Sequence, residues 1–210
     1  MHSCINPRDW QEAEEYLKRF KVVVLDNFFT QEMCNTLHHR MISATVFKDY
    51  WEDYQALAYD LSDPVTYKIV KDLEEACPTL LSNFQYSWSF VYNNEALGVG
   101  LHADPSNFNV NVWVTPDSCV KDENLNGLKI YNVDVPSEAT REQYNLNVDN
   151  YLTKIVNKNP HIIYRIPYRC NRAIIFDASC PHETDSVSMI LGKENRRVSY
   201  TMLYGEGPFK

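Results

Sequence analysis

Apolar residues in the first part of the chain recur at helical spacing. Those in residues 10–20 fall on one face of a helix, and the β-branched and aromatic run at 21–29 is typical of a strand. Thr30 follows that run at a position where it can cap a second helix. A third helical pattern at 63–77 starts with Asp-Pro, which suits the first turn of a helix. The pattern therefore predicts a helix, a strand and two further helices.

From residue 84 onward the apolar pattern changes to a period of two. Aromatic residues alternate with other residues along 84–92, as in a strand with one buried face. Turn-forming clusters separate further strand candidates, at 98–103, 109–115, 127–133, 161–166, 172–177 and 196–204. Several strands without regular intervening helices predict an antiparallel sandwich or open barrel.

Residues 137–158 interrupt the strand series with a polar, helix-like pattern, which predicts a helical insert. The chain has 210 residues, and single cores grow to roughly 250 residues. We therefore predict one domain over 1–210, in which a helical N-terminal support (1–83) precedes a β core (84–210). The predicted class is mainly β with flanking helices, an α+β fold.

The charge balance restricts the possible partners. A formal net charge of −8 repels phosphate backbones and anionic membrane surfaces, so nucleic acid is an unfavourable partner. No stretch is apolar enough for a membrane helix, and the first residues do not resemble a secretory leader, so we expect a cytoplasmic protein. The six cysteines form no C-x-x-C pair, which favours free thiols over a disulfide framework.

His102 and Asp104 are the first candidates for chemistry. Side chains at i and i+2 of a strand point to the same side, so these two can reach one ion. Chance alone produces such a pair in nearly half of chains with this composition, so the pair by itself is more often structural. Asp177 and Asp185 are rival carboxylates, but neither has this spacing to a second histidine.

A third candidate changes this assessment. His182 follows the apolar strand pattern at 172–177 after a short connection. Two histidines and one carboxylate suit non-haem Fe(II) with open coordination positions, whereas a zinc hydrolase would also need a separate general base. Further along the chain, Arg197 and Ser199 share a face of the last predicted strand and can bind a carboxylate.

The order His102-x-Asp104, His182, Arg197-x-Ser199 resembles the motif set of the Fe(II)- and 2-oxoglutarate-dependent dioxygenases, in the prolyl-4-hydroxylase-like group. The resemblance extends over most of the chain. The segments that carry it are VVVLDNFFTQEMCNTL, SFVYNNEALGVGLHAD, NGLKIY and NRAIIFDASCPHE. One departure is Asn126-Gly127, where that group often has two glycines.

The resemblance implies a double-stranded β-helix, a jelly-roll core of the cupin type with N-terminal helices packed on one sheet. It implies that His102, Asp104 and His182 hold Fe(II), while Arg197 and Ser199 hold the far carboxylate of the cosubstrate 2-oxoglutarate. The implied reaction uses O2 to hydroxylate an unactivated C–H bond of an amino-acid, peptide or small-molecule substrate, with release of succinate and CO2. A metal-dependent isomerase or hydrolase of the cupin type, and a non-catalytic barrel that binds ligands, remain alternatives.

Four further residues are candidates within this scheme. Tyr92 stands where the group commonly has a tyrosine that contacts 2-oxoglutarate, although core packing explains it equally well. Asn109, Asn111 and Trp113 alternate along one strand and predict a row facing the pocket. Asn111 is a candidate for cosubstrate binding, and Asn109 and Trp113 are candidates for contact with the substrate.

Overall fold

The computed structural model describes residues 2–45, 47–159 and 163–209. Within these ranges the helices are α1 (Trp10–Phe20), α2 (Gln31–Ser43), α3 (Pro64–Ala76), α4 (Arg141–Tyr144) and α5 (Tyr151–Lys158). The strands are β1 (Val22–Leu25), β2 (Asp49–Tyr50), β3 (Tyr54–Tyr59), β4 (Phe84–Tyr92), β5 (Glu95–Ala96), β6 (Phe108–Trp113), β7 (Leu128–Tyr131), β8 (Ile163–Ile166), β9 (Ala173–Asp177), β10 (His182–Thr184), β11 (Val187–Ser188) and β12 (Val198–Tyr204). The first two residues of the predicted strand 161–166 lie outside the described residues.

The three N-terminal helices form where the sequence predicts them. The side chains of Asp9, Thr30 and Asp63 each accept a hydrogen bond from the backbone N–H three residues later, which caps the first turn. Their apolar stripes are buried, with Leu17 of α1 and Leu37 of α2 at 3% and 0% exposure. None of the helices in the described ranges combines the length and the apolar character needed to cross a bilayer.

The core consists of antiparallel sheets that face each other. The main sheet has seven strands in the order β1-β9-β6-β12-β4-β3-β2, and the opposite side is formed by β10-β7-β8 and by the pair β11-β5. Between the two layers, Trp113, Ile174 and Phe176 of the main sheet pack against Leu128 and Ile130. This arrangement is a jelly-roll of the cupin type with flanking helices, which confirms the predicted fold class.

The N-terminal helices cover the other face of the main sheet. Leu37 and Met41 of α2 and Leu73 of α3 are fully buried, in one cluster with Val110 of β6 and Tyr200 of β12. The sheet therefore has one face closed by helices and one face directed towards the second layer of strands. Candidate functional residues are expected on the second face.

The N-terminal third also supplies strands to the main sheet. Strand β1 pairs with β9, as its apolar run predicts, and β3 pairs with β4. The pattern does not predict β3, because YQALAY has no clear apolar face and acquires its conformation from pairing along β4. Since these strands are hydrogen-bonded to strands of the β core, we propose that the two parts form one domain.

The alternation along β4 is confirmed, and the structure shows which face is covered. Ser87, Ser89 and Val91 are buried on the helix side, with exposures of 1%, 0% and 3%. Trp88 and Phe90 are only half-buried and lie on the side of the second layer. Small residues fit the close approach of the helices, whereas the aromatic rings line the open side.

The predicted strand at 98–103 is wrong. Residues 97–101 are irregular, and His102 forms only an isolated bridge with His182. A close approach of two backbones explains this, because a Cβ on Gly98 would lie 2.2 Å from the carbonyl oxygen of Thr184. The segment is therefore a loop held by tertiary contacts.

Within the predicted insert at 137–158 the chain forms two short helices, α4 and α5. Asn147, Asp149 and Asn150 have positive φ angles of 49°, 55° and 55°, which separate the two helices. The insert is less polar in its packing than its sequence indicates, since Tyr144 and Leu152 are buried at 6% and 0% exposure.

Candidate metal centre

Three side chains with metal-ligating atoms converge beside Phe176. One such atom from each of His102, Asp104 and His182 lies within 4.8 Å of the other two. The Nε2 atom of His102 is 3.9 Å from Oδ1 of Asp104, and Nε2 of His182 is 3.5 Å from Oδ2. The ring of Phe176 packs edge-on against His182 at 4.8 Å. The three residues singled out from the sequence therefore surround one point.

Backbone carbonyls orient both imidazole rings. Nδ1 of His102 lies 2.7 Å from the carbonyl oxygen of Gly100, and Nδ1 of His182 lies 3.0 Å from that of Cys180. Since a carbonyl can only accept, each Nδ1 carries a proton, and Nε2 is the nitrogen of each ring that faces the cluster. Burial, together with neighbouring His102, lowers the pKa of His182 to about 4, so its imidazole is neutral near pH 7.

Backbone hydrogen bonds fix residues 97–104, here called the ligand loop, to His182 and to the turn that precedes it. His102 and His182 exchange N–H···O bonds of 3.0 and 2.7 Å, and the Asp104 N–H donates to Ala178 at 2.9 Å. These bonds join residues that are far apart in the chain. They restrain the backbone of the loop, as the hydrogen bonds between paired strands restrain a sheet.

Asn109 orients the carboxylate of the cluster. Its Nδ2 donates to Oδ2 of Asp104 at 2.8 Å, and both residues are 2% exposed. The sequence predicts Asn109 in a row along one face of a strand but gives no sign of its bond to Asp104. This bond favours a supporting role for Asn109 over the predicted contact with substrate.

We expect Asn109→Ala to weaken divalent metal binding about 10- to 100-fold, the usual cost of losing a residue that orients a ligand. The measurement is a titration with Mn(II), followed by the loss of its free-ion EPR signal. Asn111→Ala is the matched control, because Nδ2 of Asn111 donates to Thr201 Oγ1 at 2.9 Å instead of to the cluster. Equal affinities of the two variants would contradict the role assigned to Asn109.

Arg197 is a buried cation in an aromatic cage. The residue is 1% exposed, and its Cζ lies 4.8, 5.4 and 5.8 Å from the ring centroids of Tyr92, Trp113 and Tyr168. Its Nε donates to the carbonyl oxygen of Asn126 at 3.0 Å, whereas its buried Nη1 has no hydrogen-bond partner among the described residues. A buried guanidinium with an unused N–H is costly unless an anion pairs with it. The cage is therefore suited to a carboxylate ligand.

The turn at Asn126-Gly127 holds the other side of Arg197. Asn126 has a positive φ of 69°, a conformation that Asn tolerates better than most residues, and its side chain accepts from the Ser188 N–H at 2.7 Å. A Cβ on Gly127 would lie 2.4 Å from the carbonyl oxygen of Ile166. Gly127 is needed because the backbone of Ile166 comes so close to it. Asn126 can stand where the group often has another glycine, because Asn tolerates a positive φ.

The remaining candidates share the same face of the main sheet. Ser199 is 2% exposed and lies directly opposite Trp113 across β12 and β6. Asn111 has a buried Oδ1, and fully buried Trp113 has an Nε1, for which no hydrogen-bond partner is found in the described ranges. Trp113 packs against Arg197, and its contact with substrate stays a prediction. Tyr168, which completes the cage, was not singled out because it follows a strand and belongs to no motif.

Strand β6 connects the two parts of the site. Asn109 contacts Asp104 at one end, and Trp113 contacts Arg197 four residues further along. At about 3.3 Å per residue, the two backbone positions are roughly 13 Å apart. The metal-ligating cluster and the buried cation therefore lie on the same face of the main sheet, one near each end of β6.

Comparisons with known proteins agree with this architecture. No protein-family model matches the sequence, and a search of curated proteins finds no match. Among solved structures, HygX from Streptomyces hygroscopicus with nickel, 2-oxoglutarate and hygromycin B bound is similar over 93% of this chain and 88% of its own, with a TM-score of 0.61 and 8% identity.

Two other similar structures are named for different activities. A prolyl hydroxylase from Trichoplax adhaerens, in complex with a hypoxia inducible factor peptide, covers 95% of this chain and 94% of its own, with a TM-score of 0.57 and 11% identity. The non-heme α-ketoglutarate-dependent epimerase SnoN from nogalamycin biosynthesis covers 93% and 84%, with a TM-score of 0.63 and 11% identity. The chain thus has the fold of 2-oxoglutarate-Fe(II) oxygenases, as the motif resemblance predicts.

Proposed function

We propose that the protein is an Fe(II)- and 2-oxoglutarate-dependent oxygenase. The observation that carries the proposal is the pairing of the His102, Asp104 and His182 cluster with the buried, incompletely paired guanidinium of Arg197 on one face of the sheet. A cluster alone would suit many metals, and a buried cation alone would suit many anions. Together they match a ligand that coordinates metal at one end and carries a carboxylate at the other.

The donor set fits Fe(II). Two neutral imidazole nitrogens and one carboxylate leave coordination positions open, as in non-haem iron oxygenases. Cys180, although close in sequence to His182, is buried with its pKa raised to about 12, mainly by burial, so it does not compete as a thiolate. When bound, Fe(II) and 2-oxoglutarate activate O2 for oxidation of a C–H bond, with succinate and CO2 as coproducts.

The residues of the chain bind and orient the reactants in this proposal. Arg197 donates to the far carboxylate of 2-oxoglutarate, and the hydroxyl of Ser199 binds the same group. Tyr92 covers the guanidinium and excludes water from it, and Asn111 offers its buried Oδ1 to a donor in the pocket. Asn109 keeps the Asp104 carboxylate aimed at the metal.

For the reaction we propose hydroxylation of an amino-acid, peptide or small-molecule substrate. HygX with hygromycin B and the Trichoplax enzyme with its peptide illustrate both substrate sizes on this fold. SnoN, an epimerase, has the same fold, so epimerisation is the second candidate outcome. A cupin-type hydrolase or isomerase is less favoured, because the cage around Arg197 would then have no ligand.

One experiment tests the proposed function. We expect Fe(II) and 2-oxoglutarate, added without oxygen, to give a visible charge-transfer absorption band, and expect succinate to form after oxygen is admitted. Succinate formed without substrate is a slow background reaction, so the band is the primary measurement. In protein shown to be folded, metal binding without the band supports the cupin alternative, and the absence of both supports a binding module. Either result overturns the proposal.

A further inference from the structure

We infer that the insert at 137–158 is a fixed brace that positions the metal-ligating residues, and that Asn145 is its positioning residue. The inference rests on the proposed metal site. Ala103, which lies between His102 and Asp104, is 0% exposed. Its N–H donates to the carbonyl oxygen of Tyr144 at 2.7 Å, and its carbonyl oxygen accepts from Nδ2 of Asn145 at 3.2 Å. Both backbone polar groups of Ala103 are therefore held by the insert.

Because Ala103 lies between two metal-ligating residues, these two bonds affect the positions of both side chains. His102 and Asp104 are its direct neighbours, so a rotation of either adjoining peptide plane moves a ligand. Metal sites require ligand distances within about 0.2 Å of their ideal values. The backbone bonds of His102 and Asp104 fix the loop to His182 and Ala178, and the bonds of Ala103 fix it on the opposite side.

The insert is itself anchored, which a brace requires. The ring of Tyr144 stacks on Phe209 with centroids 4.0 Å apart and planes 8° apart. Oδ1 of Asn147 accepts from the Leu152 N–H at 2.8 Å, and Leu152 is fully buried. That bond holds α5 to the turn before it, and Tyr151 of α5 packs against the buried cluster that contains Ala103 and Tyr144. These contacts favour a permanent support over a lid that opens.

Ordinary packing of a surface segment is the competing explanation. In that case loss of one hydrogen bond would alter thermal stability and leave metal affinity unchanged. A brace predicts a different result, because a loosened ligand loop lowers metal affinity even where the fold persists.

The test compares Asn145→Ala with Asn159→Ala, a matched control whose exposed side chain donates to Ile155 within the insert. Two quantities are measured on the whole chain: hydrogen exchange of the Ala103 amide without metal, and the dissociation constant for Mn(II) alone. For Asn145→Ala we expect exchange at least about tenfold faster and Mn(II) binding about tenfold weaker. For Asn159→Ala we expect no change in either.

Phe209→Leu is a second variant, which removes the ring that stacks on Tyr144. We expect it, too, to speed exchange of the Ala103 amide and to weaken Mn(II) binding. If both variants keep wild-type affinity for Mn(II), the brace is refuted, whether or not exchange of the Ala103 amide becomes faster. Equal effects in Asn159→Ala would refute it as well. If the wild type binds no Mn(II), the proposed function fails and the brace fails with it as a device for the metal site, whereas wild-type Mn(II) affinity in both variants, with binding in the wild type, refutes the brace alone.

Discussion

Asp104→Ala is expected to abolish tight metal binding, with an affinity loss well beyond the roughly 10- to 100-fold cost of removing a supporting residue. The variant deletes the one anionic group in a cluster whose other members are imidazoles. The fold should persist, because Asp104 lies in a loop and its buried carboxylate has one neutral hydrogen-bond donor, Asn109. Removing such a charge relieves a desolvation cost. Mn(II) titration and the thermal midpoint of the metal-free protein measure the two effects.

Asp104→Asn is the conservative control for this prediction. The amide keeps the shape of the side chain and still accepts a hydrogen bond from Asn109, but it carries no charge. We expect it to lose metal binding as well, with a thermal midpoint at or above that of the wild type. Retention of tight metal binding by Asp104→Ala would exclude Asp104 as a ligand, and retention by Asp104→Asn alone would show that the charge is not needed; either result contradicts the prediction.

Arg197→Met is expected to weaken 2-oxoglutarate binding at least about 100-fold. A hydrogen bond to a charged group contributes about 1.5–3 kcal/mol, and a bidentate pair contributes two of them. Metal binding should be preserved, since Arg197 contacts Asn126 and the aromatic cage and is not one of the clustered ligands. The measurement is the rise in thermal midpoint with increasing 2-oxoglutarate in the presence of Mn(II), which follows the ratio of concentration to dissociation constant.

Arg196→Met is the matched control, because it removes the adjacent arginine, which points to the opposite face and lines a surface cavity with Met41 and Phe47. It should respond to 2-oxoglutarate as the wild type does. A wild-type response in Arg197→Met, or an equal loss in both variants, would show that the buried guanidinium does not bind the cosubstrate.

The sequence predicts which three side chains come together, but not the way in which they are held. His102, Asp104 and His182 were recognisable from their order and from the later Arg197, because these residue types follow from the chemistry itself. The support of the loop was not recognisable, since it consists of backbone bonds to His182, Ala178 and Tyr144. Such bonds leave no mark on side-chain identity, which is why a strand was expected at 98–103.

Contacts between residues far apart in the chain also explain the other features of the structure that the sequence does not predict. Alternation revealed β4 and its two faces, but the decision that the Ser89 side would be covered depends on helices that lie elsewhere in the chain. Tyr168 joins the cage around Arg197 because a turn after β8 brings it there. Period and composition therefore predict elements and candidate atoms, and long-range contacts decide their surroundings.

Under the proposed function, Nη1 of Arg197, which has no partner among the described residues, would couple the stability of the protein to the supply of 2-oxoglutarate. If 2-oxoglutarate completes the pairing, the unfolded fraction falls by a factor set by the cosubstrate concentration. Cellular proteases act on the unfolded fraction, so a scarcity of 2-oxoglutarate would reduce the amount of protein as well as its turnover. The amount of the protein and its activity would then decrease together, because both depend on the ion pair that 2-oxoglutarate completes with Arg197.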